Sequence, residues 1–253
     1  MKNGVKNQTA CICACAKDID IHLATSIKKL EMIGSAFKDY QIFIFENNST
    51  DQTLKTLNDW ASINSKVKIF SEDLDWIKAG RNWYKRLKVL TYARNKLLIE
   101  VLKSSPDYYI VCDIDEVIRG LNLQNFLSSF GLEEPWSMIG ANQSCDYYDL
   151  WPLRTLDNWV TYDCWEECVP SYPTREIGIQ KCITEKARRI PANNPPIEVE
   201  SCFGGLGIYK FKHIIGCNYD PIGRLTTEHI PFHKKMRDKH NAKFFINPKM
   251  IIY

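Results

Sequence analysis

Apolar and polar positions alternate along the first half of the chain with two different periods. Residues 9–16 form an almost unbroken run of small apolar side chains, the pattern of a strand buried on both faces. Asp18 or Asp20 is then placed to cap a helix reaching about Phe37, with Ile19, Leu23, Ile27, Leu30 and Ile33 at helical spacing. Residues 41–45 read as a second short strand, 46–51 as a polar loop and helix cap, and a second helix follows to about Ala61. Residues 67–70 give a third strand, 71–84 a polar and aromatic loop, and about 85–103 a long helix. A fourth strand, 108–112, ends in Asp113-Ile114-Asp115-Glu116. Strands alternating with helices predict an α/β fold, its central sheet mostly parallel and covered by flanking helices. Open sheets of this kind bind ligands at the carboxyl ends of their strands. The polar clusters after the second and fourth strands fall at such ends.

The second half is less regular. Residues 145–196 are rich in Trp, Tyr, Pro and Cys and read as a long loop-rich insertion. Residues 198–210 carry a glycine-rich loop, Phe203-Gly204-Gly205-Leu206-Gly207, into a strand. A short helix is expected from Glu228 to Asp238, and closing strands at 244–246 and 250–253. With no internal repeat and no low-complexity linker, one domain is expected over 1–253.

Composition narrows the function classes. Lys+Arg number 33 and Asp+Glu 30, so a net charge of +3 gives no footprint for nucleic acid or an anionic membrane surface. No uncharged apolar run approaches the roughly 20 residues of a membrane span, so no integral membrane segment is expected. The first residues lack the apolar core of a signal peptide, and a cytoplasmic protein is expected. Of the 10 cysteines, Cys11, Cys13 and Cys15 alternate on one strand face, too crowded to pair with each other. Cys164 and Cys168 resemble half a zinc site, but no second pair follows at zinc spacing. Neither a structural metal nor a disulfide is expected there.

Four groups of residues could carry chemistry. Asp113 and Asp115 fall on one side of the chain as it leaves a buried strand. Two hard oxygen ligands there suit Mn2+ or Mg2+ bridging a diphosphate, against the alternative of solvated turn acids. The same spacing occurs at Asp18/Asp20 and Asp73/Asp75, but neither pair ends a buried strand. Arg94-Asn95, with Arg81 and Arg86 nearby, could hold a phosphate or stack on a base, or lie on a helix surface. The Gly204-Gly205 loop permits close backbone approach to a ligand, but lacks the strand–GxGxxG–helix context of a dinucleotide site. Glu228-His229, followed by His233 on the same helix face, offers a general base or an extra metal ligand, or a polar surface. The zinc-protease pattern is absent, because Ile230 stands where its glutamate belongs.

These pieces, in this order, resemble a GT-A glycosyltransferase of the family-2 type over most of the chain. Phe45-Glu46-Asn47-Asn48-Ser49-Thr50-Asp51-Gln52-Thr53 resembles the family's acidic turn after strand two, and Ala93-Arg94-Asn95 its A-R-N segment. Tyr109-Ile110-Val111-Cys112-Asp113-Ile114-Asp115-Glu116 resembles its DxD strand end. Glu228-His229 stands at its E-D pair, and Lys243-Phe244-Phe245-Ile246-Asn247-Pro248 resembles its closing strand.

The resemblance implies a nucleotide-binding half at 1–120 and an acceptor-binding half at 121–253. It implies a UDP- or GDP-sugar donor, a hydroxyl of a glycan or other molecule as acceptor, and Mn2+ or Mg2+. By the same resemblance Glu46 contacts the nucleobase or ribose, Arg94 holds the nucleotide, and Asp113 meets the ribose or metal. Asp115 binds the metal, and the Gly204-Gly205 loop lies by the donor sugar or acceptor. Glu228 is the base of an inverting transfer. His229 replaces the family's second acid, so it too is a candidate base, and no histidine follows His240 to serve as the late metal ligand. His229 or His233 would take that place, or water. The insertion's Tyr147, Tyr148, Trp151, Trp159 and Trp165 would stack on an acceptor sugar or cover the sheet. Two alternatives stand beside this reading: a non-catalytic nucleotide- or sugar-binding protein on a degenerate transferase fold, and a sugar-phosphate nucleotidyltransferase. The second needs a glycine-rich, arginine-containing loop after strand one, where this chain has Ala14-Cys15-Ala16-Lys17-Asp18.

Overall fold

A computed structural model describes residues 5–74, 83–220 and 226–253, with backbone only for Trp83 and Tyr84. The strands are β1 (Thr9–Ala16), β2 (Asp39–Glu46), β3 (Val67–Ser71), β4 (Tyr108–Asp113), β5 (Met138–Asn142), β6 (Asp146–Tyr147), β7 (Arg154–Thr155), β8 (Arg188–Arg189), β9 (Ile197–Ser201), β10 (Leu206–Lys210) and β11 (Phe244–Ile251). The α-helices are α1 (Asp20–Gly34), α2 (Thr53–Ile63), α3 (Trp83–Ser104), α4 (Leu123–Leu127), α5 (Arg175–Ile179) and α6 (His229–His240). Nine strands form one sheet in the order β3-β2-β1-β4-β10-β5-β11-β9-β7, and β6 pairs with β8 apart from it.

The strands β3, β2, β1 and β4 are all parallel, as the helical connections require. From β1 the chain winds one way to β2 and β3, then crosses back through α3 to place β4 on the other side of β1. The carboxyl ends of β1 and β4 therefore flank a point where strand order reverses, the place where such sheets open a crevice. Beyond β4 the sheet turns mixed. The antiparallel strand β10 lies between β4 and β5, and β5 runs parallel to β11.

Burial on both faces explains the first strand. Ile12 and Ala14 face α1, in a cluster with Leu23, Leu30 and Ile33. Cys11 and Cys13 face α3, in a cluster with Leu97, Leu98 and Val101. These cysteines are free thiols acting as small core residues, and burial pushes the Cys11 thiol up to about 11.

The structure adds to and corrects the sequence reading in three places. Strand β5 lies inside the sheet although its segment gave no strand signal. Gly140 is required there because a Cβ would come within 2.6 Å of Cys202 Sγ. The two closing strands are one, with a register irregularity between Ile246 and Ile251 around Asn247-Pro248. The insertion holds a disulfide, Cys168–Cys182, where none was expected. The partner lies 14 residues on and has no metal-like spacing to betray it. No helix among the described residues is long and apolar enough to cross a membrane.

Candidate active site

Arg94 occupies a core position of α3. With Leu97, Leu98 and Val101 it falls at spacings of three, four and seven, so it continues the helix's apolar stripe toward the carboxyl ends of β1 and β4. Its Nε lies 2.8 Å from Glu228 Oε1 and its Nη2 lies 3.3 Å from Asp113 Oδ1. Asp113 is the last residue of β4 and is in register with Cys15 of β1. Glu228 directly precedes α6 and is only 3% exposed. The guanidinium also lies 5.2 Å from the Phe203 ring centroid and 6.0 Å from that of Tyr219, within cation–π range.

One arginine between two carboxylates leaves the cluster short of positive charge. Burial pushes the Asp113 carboxyl up to about 6; Arg94 opposes this, while Asp115 and Glu228 reinforce it. A cation arriving beside Asp113 and Asp115 would relieve that strain. Asp115 opens onto a cavity of about 460 Å³ shared with His22, Glu116, Val117, Tyr148 and Tyr253. Ser26 of α1 fixes the turn between the two acids, its Oγ donating to the carbonyl of Ile114 at 2.7 Å. Among the described residues no group of three or more His, Cys, Asp or Glu stands ready to cage an ion. Mg2+-like ions do not require one, since they are held by one or two carboxylates with substrate phosphates and water completing the shell. The pair Asp113 and Asp115 fits an ion of that kind.

The glycine-rich loop forms the neighbouring wall. Gly204 and Gly205 have φ of 69° and 87°, the left-handed region that favours glycine. A Cβ on Gly204 would come within 2.5 Å of the Ala141 carbonyl, and one on Gly205 would strike Val117. The turn itself thus accounts for both glycines. Gly205 accepts from Asp113 N–H at 2.8 Å. Gly204 N–H donates to Asp149 Oδ2 at 2.7 Å. Asp149 is half-buried, and desolvation pushes its carboxyl up to about 7 despite that hydrogen bond. It was not legible in the sequence, because it lies in the insertion's aperiodic stretch.

No protein-family model matches the sequence, and no curated protein matches it. Solved structures do resemble it in fold. The mannosyltransferase PcManGT from Pyrobaculum calidifontis, in complex with GDP-Man and Mn2+, superposes with a TM-score of 0.50 at 9% identity, over 97% of this chain and 56% of that one. S. aureus TarS 1–349 in complex with UDP superposes with a TM-score of 0.50 at 11% identity, over 94% of this chain and 57% of that one. The chain has the GT-A fold. It spans little more than half the length of either structure.

Within this GT-A chain the other expected site residues are placed as follows. Glu46, at the end of β2, is buried and accepts from Ser49 N–H at 2.8 Å and from Ser71 Oγ. One carboxylate oxygen braces the loop after β2 and the other ties it to the end of β3. Asp18 ties the loops after β1 and β2 together, accepting from Thr50 N–H at 2.6 Å, and Asp20 ties α1 to α2, accepting from Thr56 Oγ1 at 2.8 Å. Asp75 and Arg81 lie outside the described residues. Arg86 is exposed, and its charge favours ionised Asp113.

His229 is 2% exposed and stacks on Phe203 with ring centroids 4.1 Å apart. Burial, together with Arg94 and His233, holds it neutral. His233 is fully buried, its Nδ1 2.7 Å from Ser201 Oγ and its Nε2 2.9 Å from Tyr209 OH. Both nitrogens are engaged away from Asp115, so His233 is a core histidine rather than a metal ligand. His229, walled in by Phe203 and beside the Arg94 cation, is a poor ligand for the same ion.

Proposed function

We propose that the chain transfers a sugar from a UDP- or GDP-sugar to a hydroxyl of a glycan or other acceptor, with Mn2+ or Mg2+ at Asp113 and Asp115. The observation that carries this is the Arg94–Asp113–Glu228 cluster at the β1/β4 crevice, short of positive charge, with Asp115, two residues on from Asp113, opening onto a cavity. The GT-A fold and the ligands held by PcManGT and TarS point the same way.

Arg94 is held at two points by the carboxylates of Asp113 and Glu228, so its guanidinium is oriented before any ligand arrives. With only 6% of its side chain exposed, it favours a phosphate in the crevice through its charge. Glu228 acts as its buried counter-ion, which keeps the arginine charged and aimed. Asp113 and Asp115 present hard oxygens at alternate positions, where a divalent ion would join them to a diphosphate. When bound, that ion supplies electrostatic stabilisation of charge building on the leaving diphosphate.

The test is turnover of donor. The purified chain is incubated with a panel of common UDP- and GDP-sugars with Mn2+, and free nucleoside diphosphate is measured by chromatography. Release from one donor is expected, dependent on the metal and lost in Asp115→Ala. No release from any member of the panel would overturn the reading.

A further inference from the structure

The sequence suggested Glu228 or His229 as the group that deprotonates the acceptor, yet both are sealed in. A general base has to come within hydrogen-bond reach of the hydroxyl it serves. Glu228 is 3% exposed and paired with Arg94, and His229 is 2% exposed and stacked on Phe203. Neither can meet an incoming hydroxyl without dismantling the cluster that holds Arg94.

Asp149 has the access they lack. It is half-buried, and one oxygen is pinned by Gly204 N–H at 2.7 Å while the other makes no hydrogen bond among the described residues. The next residue of the same turn, Gly205, is bonded through its carbonyl to Asp113 N–H at 2.8 Å. A single tight turn therefore links the Asp149 carboxylate to the strand end that carries Asp113. The neighbours of Asp149 face the two open spaces of this region. Tyr148 lines the cavity of Asp115. Trp151 lines a separate cleft of about 320 Å³ with Trp165, Glu166, Tyr172 and Arg175. Asp163 ties that cleft together, accepting from the Trp151 indole at 3.2 Å, from Trp165 N–H at 3.0 Å and from Thr226 Oγ1 at 2.7 Å. Thr226 leads directly to Glu228, so the cleft is braced against the cluster.

On the glycosyl-transfer reading above, we infer that Asp149 is the catalytic base, taking the acceptor's proton on Oδ1 while Oδ2 stays bonded to Gly204. The acceptor oxygen forms a bond to the anomeric carbon as the bond from that carbon to the diphosphate breaks. The bonding pair leaves with the diphosphate, and the hydroxyl proton ends on the Asp149 carboxylate. The raised affinity of this carboxyl for a proton suits the task. The aromatic and charged lining of the neighbouring cleft suits the flat face and hydroxyls of an acceptor sugar.

Asp149→Asn separates base from brace. The asparagine carbonyl still accepts from Gly204 N–H but cannot take a proton. Nucleotide binding with Mn2+ is measured by calorimetry, and diphosphate release from the donor is measured with water and then with sodium azide. Azide attacks without needing deprotonation, so it yields a glycosyl azide in the absence of a base. The inference expects nucleotide affinity within about twofold of wild type and release to water reduced about 100-fold or more, the scale of general-base catalysis. It also expects azide to restore release, with glycosyl azide as product. Wild-type release to water in Asp149→Asn overturns the inference. So does loss of nucleotide binding, or loss of release that azide does not restore, because the residue would then act structurally. Failure of the wild-type chain itself to bind nucleotide or release diphosphate is a different result and removes the donor reading.

Discussion

Arg94 sits on a stripe that the helix otherwise gives to leucine and valine, although in the sequence it stood out through the Ala93-Arg94-Asn95 resemblance and not through that spacing. A charged residue at core spacing is stable only if paired, and Arg94 is paired twice. Asp113 and Asp115 stood out in the sequence because they end a buried strand, and Glu228 because it heads a run with His229 and His233. Glu46, at the end of β2, gives the following loop an acceptor for Ser49 N–H. His233 has a pH consequence of its own. Burial, and secondarily Arg237, lowers it from 6.5 to about 3 in the folded chain. The unfolded chain binds the extra proton between those values, so stability falls as pH drops from about 6.5 toward 3. Glutamine can serve Ser201 and Tyr209 without charging. The stability difference between wild type and His233→Gln, measured by urea unfolding, is therefore expected to move in the variant's favour by on the order of 3 kcal/mol between pH 7 and pH 4. A difference independent of pH would contradict it.

Elements buried on both faces were the most legible. Strands β1, β2 and β4 read as continuous apolar runs, and α1 and α3 as helical stripes, because single-period burial marks them. Strand β5 escaped notice because Gly140 and Asn142 resemble turn residues, although close packing on Cys202 demands the glycine. The insertion escaped for a different reason. Its short turns satisfy their backbone locally, with Asp163 accepting from Trp165 and Glu166 N–H and Thr174 capping Ile177 N–H. Such bonds leave no hydrophobic period. The disulfide closes this region over a separation of 14 residues, for which a chain-entropy estimate is about 3 kcal/mol. Reduction is expected to raise hydrogen exchange between residues 164 and 184 while amides of β1 and β4 stay protected. Exchange that rises equally across the sheet would show the bridge to be holding more than the insertion.

At the scale of the whole molecule, two differently built halves meet at β4. The parallel half delivers Asp113 and Asp115 at a strand's carboxyl end, as the alternation of strands and helices led one to expect, and the order β3-β2-β1-β4 makes that end a point of strand-order reversal. The mixed half folds back through β10 and brings the Gly204-Gly205 turn to the same crevice, while α6 supplies Glu228 at its start and the insertion supplies Asp149. The first contribution is local in sequence and was readable. The second depends on pairings between segments about 100 residues apart, such as β10 with β4, which no local period records. Because Asp113 and Glu228 come from different halves yet share Arg94, the crevice is expected to bind its ligand only with both in place. The most direct measurement is calorimetric titration of the intact chain with UDP and with GDP, each with and without Mn2+. Saturable binding of one nucleotide is expected, weakened at least tenfold without the metal and in Asp115→Ala. Binding of neither nucleotide, or binding indifferent to both the metal and Asp115, would contradict a metal-assisted diphosphate site at the ends of β1 and β4.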